Sequence, residues 1–175
     1  APRYAEKGRT AKEYDVILEL KMLADVGIIG LPNAGKSSFL AAATNARPKI
    51  ASYHFTTLEP NLGVVRGHDG RDFVMADIPG LVSGASEGLG LGHDFLRHIE
   101  RTKVFIHVVD AAGTEGRDPV SDIREINSEL FKYNPELLKR PQIIAANKTD
   151  ISEALENIPR LTEAFEAEGF KAFPV

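Results

Sequence analysis

Gly30-Leu31-Pro32-Asn33-Ala34-Gly35-Lys36-Ser37 fits G-x-x-x-x-G-K-[ST], a pattern chemically suited to holding phosphate. Glycines 30 and 35 let the backbone wrap closely around an anion. Successive N–H groups then point inward, beside a helix N-terminus of positive dipole character. Lys36 brings a point charge to the β- and γ-phosphates of a nucleoside triphosphate. The Ser37 hydroxyl is a candidate Mg²⁺ ligand. The flanks separate this stretch from a chance match: Asp25-Val26-Gly27-Ile28-Ile29 reads as a buried strand, and Ser37-Ser38-Phe39-Leu40-Ala41-Ala42-Ala43 reads as a helix.

Three further motifs extend the chemistry. Asp77-Ile78-Pro79-Gly80 follows the apolar run Phe73-Val74-Met75-Ala76. An aspartate there can hold Mg²⁺ through water, and the Gly80 N–H can meet a γ-phosphate without side-chain hindrance. Alone, D-x-x-G is common; after a strand and downstream of a phosphate loop it is specific. Asn147-Lys148-Thr149-Asp150 follows Gln142-Ile143-Ile144-Ala145-Ala146. The Asp150 carboxylate can accept from guanine N1–H and the 2-amino group. Adenine has an acceptor at N1 and no 2-amino group, so it leaves that carboxylate unpaired. Asn147 can fix the base edge, and the stem of Lys148 can lie over the ring. Phe55-Thr56-Thr57-Leu58 offers two adjacent hydroxyls, either of which reaches Mg²⁺ only when a γ-phosphate orders the loop.

The elements that must position these groups follow from hydrophobic pattern. Strands are predicted at 23–29, 61–66, 72–77, 104–109 and 142–146, and helices at 36–44, 92–102, 119–133 and 152–168. Residues 14–20 alternate imperfectly and read as a further strand. Gly67-His68-Asp69-Gly70 turns between adjacent strands, so that pair is antiparallel. The other strands are joined by helices and run parallel. Val104-Phe105-Ile106-His107-Val108-Val109 is apolar nearly throughout, as expected when helices cover both sheet faces. The prediction is a three-layer α/β fold with a mostly parallel sheet and one antiparallel pair. Residues 78–94 hold Pro79, Gly80, Gly84, Gly88, Gly90 and Gly92, too much glycine for a stable helix. So long an irregular loop usually moves or binds something.

Composition narrows the classes. The chain has 175 residues, enough for one domain with a real core. It has no cysteine, which excludes disulfides and thiolate metal sites. A net charge of −4 gives no global basic footprint, so no direct DNA binding is expected. No apolar run approaches the roughly 18 residues of a membrane helix. The first residues lack a signal-peptide core, which fits a cytoplasmic setting. His93 and His98 flank a basic helix with Arg97, Arg101 and Lys103. Five residues apart and without a third ligand, they do not form a metal site, and a solvated face is the simpler reading than an RNA patch.

The four motifs in this order are similar to small GTP-binding proteins of the P-loop class. Gly63-Val64-Val65 and the run from Asp77-Ile78-Pro79-Gly80-Leu81-Val82-Ser83-Gly84 through Gly88-Leu89-Gly90-Leu91-Gly92-His93 to Arg101-Thr102 closely resemble the Obg family of ribosome-associated GTPases, over about residues 23–175. The resemblance implies GTP and GDP as ligands and the large ribosomal subunit as partner, in assembly or stress response, with no membrane role. It implies nucleotide contacts from Asn33, Ala34, Gly35, Lys36, Ser37, Ser38, Asp77, Gly80, Asn147, Lys148 and Asp150. It implies Mg²⁺ on Ser37 and Thr57, with Thr57 favoured over Thr56, and catalytic roles for Lys36, Thr57 and Gly80. Related proteins with asparagine at position 33 use it to hold K⁺, which replaces the charge of an arginine finger. Ser83 departs from the family, which often has an acidic residue there. Residues 1–21 look like the linker and exit strand of a missing N-terminal domain. Residues 22–175 look like the GTP-binding domain, cut before the Ser-Ala loop that packs beside guanine.

Leu81 stands where many such proteins have a water-orienting glutamine, and it cannot hydrogen-bond water. A slow hydrolase is therefore expected, at about 10⁻⁴ to 10⁻² s⁻¹. The alternatives are a guanine-nucleotide sensor with negligible turnover, or an ATPase or kinase sharing only the phosphate loop. Asp150 argues against the latter.

Overall fold

The computed structural model describes residues 3–4, 8, 11–16, 24–44, 49–50, 60–67, 69–78, 99–166 and 168–175. Among the described residues seven strands form one sheet in the order β2-β3-β4-β1-β5-β6-β7. The strands are β1 Val26–Ile29, β2 Lys49–Ile50, β3 Asn61–Arg66, β4 Asp72–Asp77, β5 Val104–Asp110, β6 Gln142–Asn147 and β7 Lys171–Pro174. Three α-helices are described: α1 Lys36–Ala43, α2 Pro119–Tyr133 and α3 Ser152–Glu166. A 3₁₀ turn, Pro135–Lys139, links α2 to β6.

β1 lies between β4 and β5 and runs parallel to both, and β5-β6 and β6-β7 are also parallel. β3 and β4 are antiparallel, as their short connection requires, with Gly70 N donating to Gly67 O at 3.0 Å between them. The two-residue strand β2 adds a second antiparallel pairing at the edge, with β3. Two residues carry no readable period, so β2 left no signal in the hydrophobic pattern. The predicted strand at 14–20 is not formed at residues 14–16, and residues 17–20 lie outside the described ones. Of the predicted helix at 92–102 only the end is described, where Thr102 N donates to Ile99 O at 3.1 Å.

Alternation along the strands divides the core between two faces. Ile28, Val108 and Ala145 pack with Leu40 of α1 on one face. Ile29 and Phe105 pack with Ile126 and Leu130 of α2 on the other. On that same face Val109, Ile144 and Ala146 meet Ile123 of α2 and Leu161 and Phe165 of α3. Both faces are covered, which is why β1, β5 and β6 are apolar nearly throughout. Pro119 opens α2 at its first turn, where a missing N–H costs nothing, and Asp118 caps it by accepting from Ser121 N at 3.0 Å. Pro159 sits inside α3 and removes one i→i−4 bond, yet the helix continues because Leu161 and Phe165 beyond it are fully buried.

Parallel strands put their carboxyl ends at one edge. Gly30 after β1, Asp77 ending β4, Asp110 ending β5 and Asn147 ending β6 therefore share that edge; Ile28 is in register with Asp77, and Asp110 with Asn147. Ligands of open α/β sheets bind beyond such an edge.

Candidate functional site

The phosphate loop depends on two glycines. Gly30 has φ 152°, and a Cβ there would run into the Val108 carbonyl. Gly35 has φ 99° and is the residue before α1; a Cβ there would run into the Asn147 side-chain amide. Only glycine lets the loop turn into the helix and lets the β6 end approach so closely. Asn33, at φ 61°, takes a left-handed conformation that asparagine tolerates better than most residues.

Lys36 opens α1 and is half-buried, with Nζ donating to Leu31 O at 2.9 Å. Burial lowers its pKa, against the Asp77 charge, which raises it. Ser37 Oγ donates to Asp77 Oδ2 at 2.5 Å. Asp77 is 2% exposed, and its Oδ1 has no hydrogen-bond partner among the described residues. A buried carboxylate oxygen without a donor is costly unless a cation or bound water meets it. A hydroxyl, a carboxylate and an ammonium are thus gathered where a nucleotide's phosphates and a hard divalent ion would lie. Oxygen donors of this kind suit Mg²⁺.

The turn Asn147-Lys148-Thr149-Asp150 is joined to this loop directly. Asn147 Nδ2 donates to Ala34 O at 2.8 Å. Lys148, at φ 64°, places Nζ 2.8 Å from Asp110 Oδ2 and 2.8 Å from Thr114 Oγ1. Its stem therefore spans from the end of β6 to the end of β5. Asp110 also accepts from Ala112 N, Thr114 N and the Thr114 hydroxyl. Desolvation would raise its pKa, but the bonds from Lys148 and Thr114 together outweigh that and hold it low. Ile151 N donates to Lys148 O and closes the turn that leaves Asp150 exposed. Thr149 Oγ1 donates to Val175 O at 2.9 Å, tying the turn to the end of β7. A cleft of about 460 Å³ lies beside Ser38 and Asn147, walled by Phe39, Ala42, Ala43 and Val175.

Of the residues singled out from sequence, Asn33, Ala34, Gly35, Lys36, Ser37, Ser38, Asp77, Asn147, Lys148 and Asp150 fall at this edge of the sheet. Thr56, Thr57, Gly80 and Leu81 lie outside the described residues. Four residues at the edge were missed by sequence reasoning: Asp110, Thr114, Glu115 and Arg117. The available signal was the polar, glycine-broken run Asp110-Ala111-Ala112-Gly113-Thr114-Glu115-Gly116-Arg117 after a predicted parallel strand.

A family profile described as 50S ribosome-binding GTPase matches residues 25–148. GTPase Obg of Lachnoclostridium phytofermentans is 63% identical over 178 residues, covering 99% of this chain and 41% of that protein. GTPase Obg of Symbiobacterium thermophilum is 60% identical over 174 residues, again 99% of this chain and 41% of the relative. The chain thus spans 41% of the length of these relatives. Among solved structures, the G domain of the T. maritima FeoB iron transporter matches with a TM-score of 0.60 at 23% identity, over 86% of this chain and 85% of that one. An Aquifex aeolicus Era variant bound to GDP and AlF4⁻ matches with a TM-score of 0.58 at 23% identity, over 89% of this chain and 51% of that one. These two likenesses establish the fold alone. The profile match runs from the residue before β1 to Lys148 in the turn after β6, and with the identity to Obg proteins it places this chain in the Obg group of the 50S ribosome-binding GTPase family.

Proposed function

We propose that this chain binds GTP with Mg²⁺, hydrolyses it slowly to GDP and phosphate, and acts through its nucleotide state as a switch in large ribosomal subunit assembly or stress response. The observation that carries the reading is the bond from Asn147 Nδ2 to Ala34 O, which ties the Asn147–Asp150 turn to the phosphate loop. A nucleotide would span the two, with its phosphates on Gly35, Lys36, Ser37 and Ser38 and its base read by Asp150. Ser37 and Thr57 would hold Mg²⁺ directly, with Asp77 through water. Bound there, the ion supplies charge neutralisation of the β- and γ-phosphate oxygens. Lys36 adds a fixed positive charge and the Gly80 N–H a donor, which is the kind of positioning a loose phosphoryl transition state needs. Leu81 supplies no water-orienting group, and this supports a low rate. Asn33 Oδ1 would hold K⁺ beside the phosphates.

The description of the family supports the ribosomal partner. Among the described residues no helix is long and apolar enough to cross a membrane, and we read the setting as cytoplasmic. Residues 1–21 would serve as a linker, and residues 22–175 as the GTP-binding domain.

The test is competition for a fluorescent GDP analogue in Mg²⁺ buffer. GDP is expected to displace it at least about 10⁴-fold more effectively than ADP, the scale set by a site built to hydrogen-bond its ligand. Equal displacement by ADP sinks the guanine reading. Single-turnover GTP hydrolysis with and without ribosomal particles then separates a slow GTPase from a sensor that never turns over.

A further inference from the structure

The loop joining β5 to α2 reaches back to the phosphate loop. Glu115 Oε1 accepts from Asn33 Nδ2 at 2.5 Å. Arg117 stands behind Glu115, with Nη1 3.0 Å from Glu115 Oε2. Its Nη2 donates to Pro32 O at 3.2 Å, and its Nε lies 3.3 Å from Oδ2 of Asp122, a buried carboxylate in the first turn of α2. Gly113 and Gly116, at φ 63° and 72°, bend the loop, and Gly116 N donates to Gly113 O at 2.8 Å. Asp122, Arg117, Glu115 and Asn33 thus form a continuous polar chain from α2 to the phosphate loop.

The chemistry of the last link is directional. An ionised carboxylate accepts and cannot donate, so it meets only the Nδ2 arm of the Asn33 amide. The amide is planar, so Oδ1 is turned away from Glu115. We propose that Glu115 is a positioning residue that sets the polarity of the Asn33 amide, so that the phosphate loop presents an oxygen acceptor to a monovalent cation. Arg117 holds Glu115 in place by pairing with its other oxygen and with the backbone of Pro32. Without Glu115 the amide is free to flip. It then presents N–H groups, which suit a phosphate oxygen and repel a cation. This inference rests on the reading that the loop holds a nucleotide and that Asn33 faces a cation beside it.

The test combines kinetics with a direct view of the amide. Single-turnover GTP hydrolysis is measured in K⁺ and in Na⁺ for the unaltered chain, Glu115→Ala and Glu115→Gln. The Asn33 side-chain N–H resonances are followed by NMR in the GDP-bound chains. The K⁺-over-Na⁺ preference is expected to fall by about fivefold or more in Glu115→Ala, the lower end of ordinary site-to-site coupling. The amide resonance held downfield by the carboxylate is expected to move upfield. Glu115→Gln, whose amide oxygen can still accept from Asn33, should recover most of the preference. A preference unchanged in Glu115→Ala overturns the proposal. If the unaltered chain shows no K⁺ preference, the cation reading of Asn33 fails by itself. The role of Glu115 is then decided by the resonance, and one unmoved in Glu115→Ala overturns it.

Discussion

At the residue scale, the site is built from groups that cost the fold something. The Lys36 ammonium is half-buried, and burial lowers its pKa despite the neighbouring Asp77. A charge disfavoured by burial is not there for stability. Lys36→Met keeps the stem and removes the charge. It is expected to leave the denaturation midpoint nearly unchanged while weakening GDP binding by roughly tenfold to a hundredfold, the range for losing a hydrogen bond to a charged group. Calorimetric titration and urea unfolding on the same samples check both halves. A large loss of stability with intact binding would reverse this assignment of Lys36. Asp77 Oδ1 is the matching case on the acidic side, a buried oxygen without a donor among the described residues.

At the element scale, positions are held by caps and loops more than by ion pairs. Asp118 caps α2 through Ser121 N and also pairs with Arg160 of α3 at 3.0 Å. The pair is exposed and worth little. The cap is worth about 1 kcal/mol. Asp118→Ala should therefore cost about 1 kcal/mol, a shift of roughly 2–4 °C in Tm for a chain of this size. Asp118→Asn, which keeps a capping oxygen, should cost less than half of that. Equal losses in the two variants would mean that the Arg160 pair, and not the cap, matters. The boundaries of β3, β4 and α2 match those predicted from pattern, because each is a strongly periodic or capped segment. The 3₁₀ turn at Pro135–Lys139 and the two-residue β2 were not anticipated, because both are too short to show a period.

At the scale of the whole molecule, the sheet buries His107 in the middle of β5, at 1% exposure. Its Nδ1 meets Gln142 Nε2 at 2.9 Å, and that same amide donates to Asn127 Oδ1 of α2. Desolvation, with the Lys36 charge adding to it, drives its pKa from 6.5 to about 3. Between those two values the unfolded chain binds a proton that the folded chain does not. Stability from this group is therefore complete above pH 6.5 and falls steadily as the pH drops toward 3. About 2 kcal/mol should be lost by pH 5. Urea midpoints measured from pH 7.5 to 4.5 check this, and His107→Gln should flatten the slope between pH 6.5 and 5. A slope identical in that variant would remove His107 as the cause. The other four histidines lie outside the described residues.

The sequence by itself determined the phosphate loop, the Asn147–Asp150 turn after a strand end and the parallel order of strand and helix. Each of these is local: glycines at required turns, an amphipathic or fully apolar run, a motif following a strand end. Even Asp77 and Asn147, seventy residues apart, were legible as partners because parallel strands must deliver their carboxyl ends to one edge. Only the tertiary structure decided that Asn147 grips the Ala34 carbonyl, that Lys148 is anchored on Asp110, and that Glu115 and Arg117 bear on the phosphate loop. Those contacts join residues 38 to 113 positions apart in the chain. Their geometry depends on left-handed turns at Asn33, Lys148, Gly113 and Gly116, and hydrophobic periodicity carries no information about such turns.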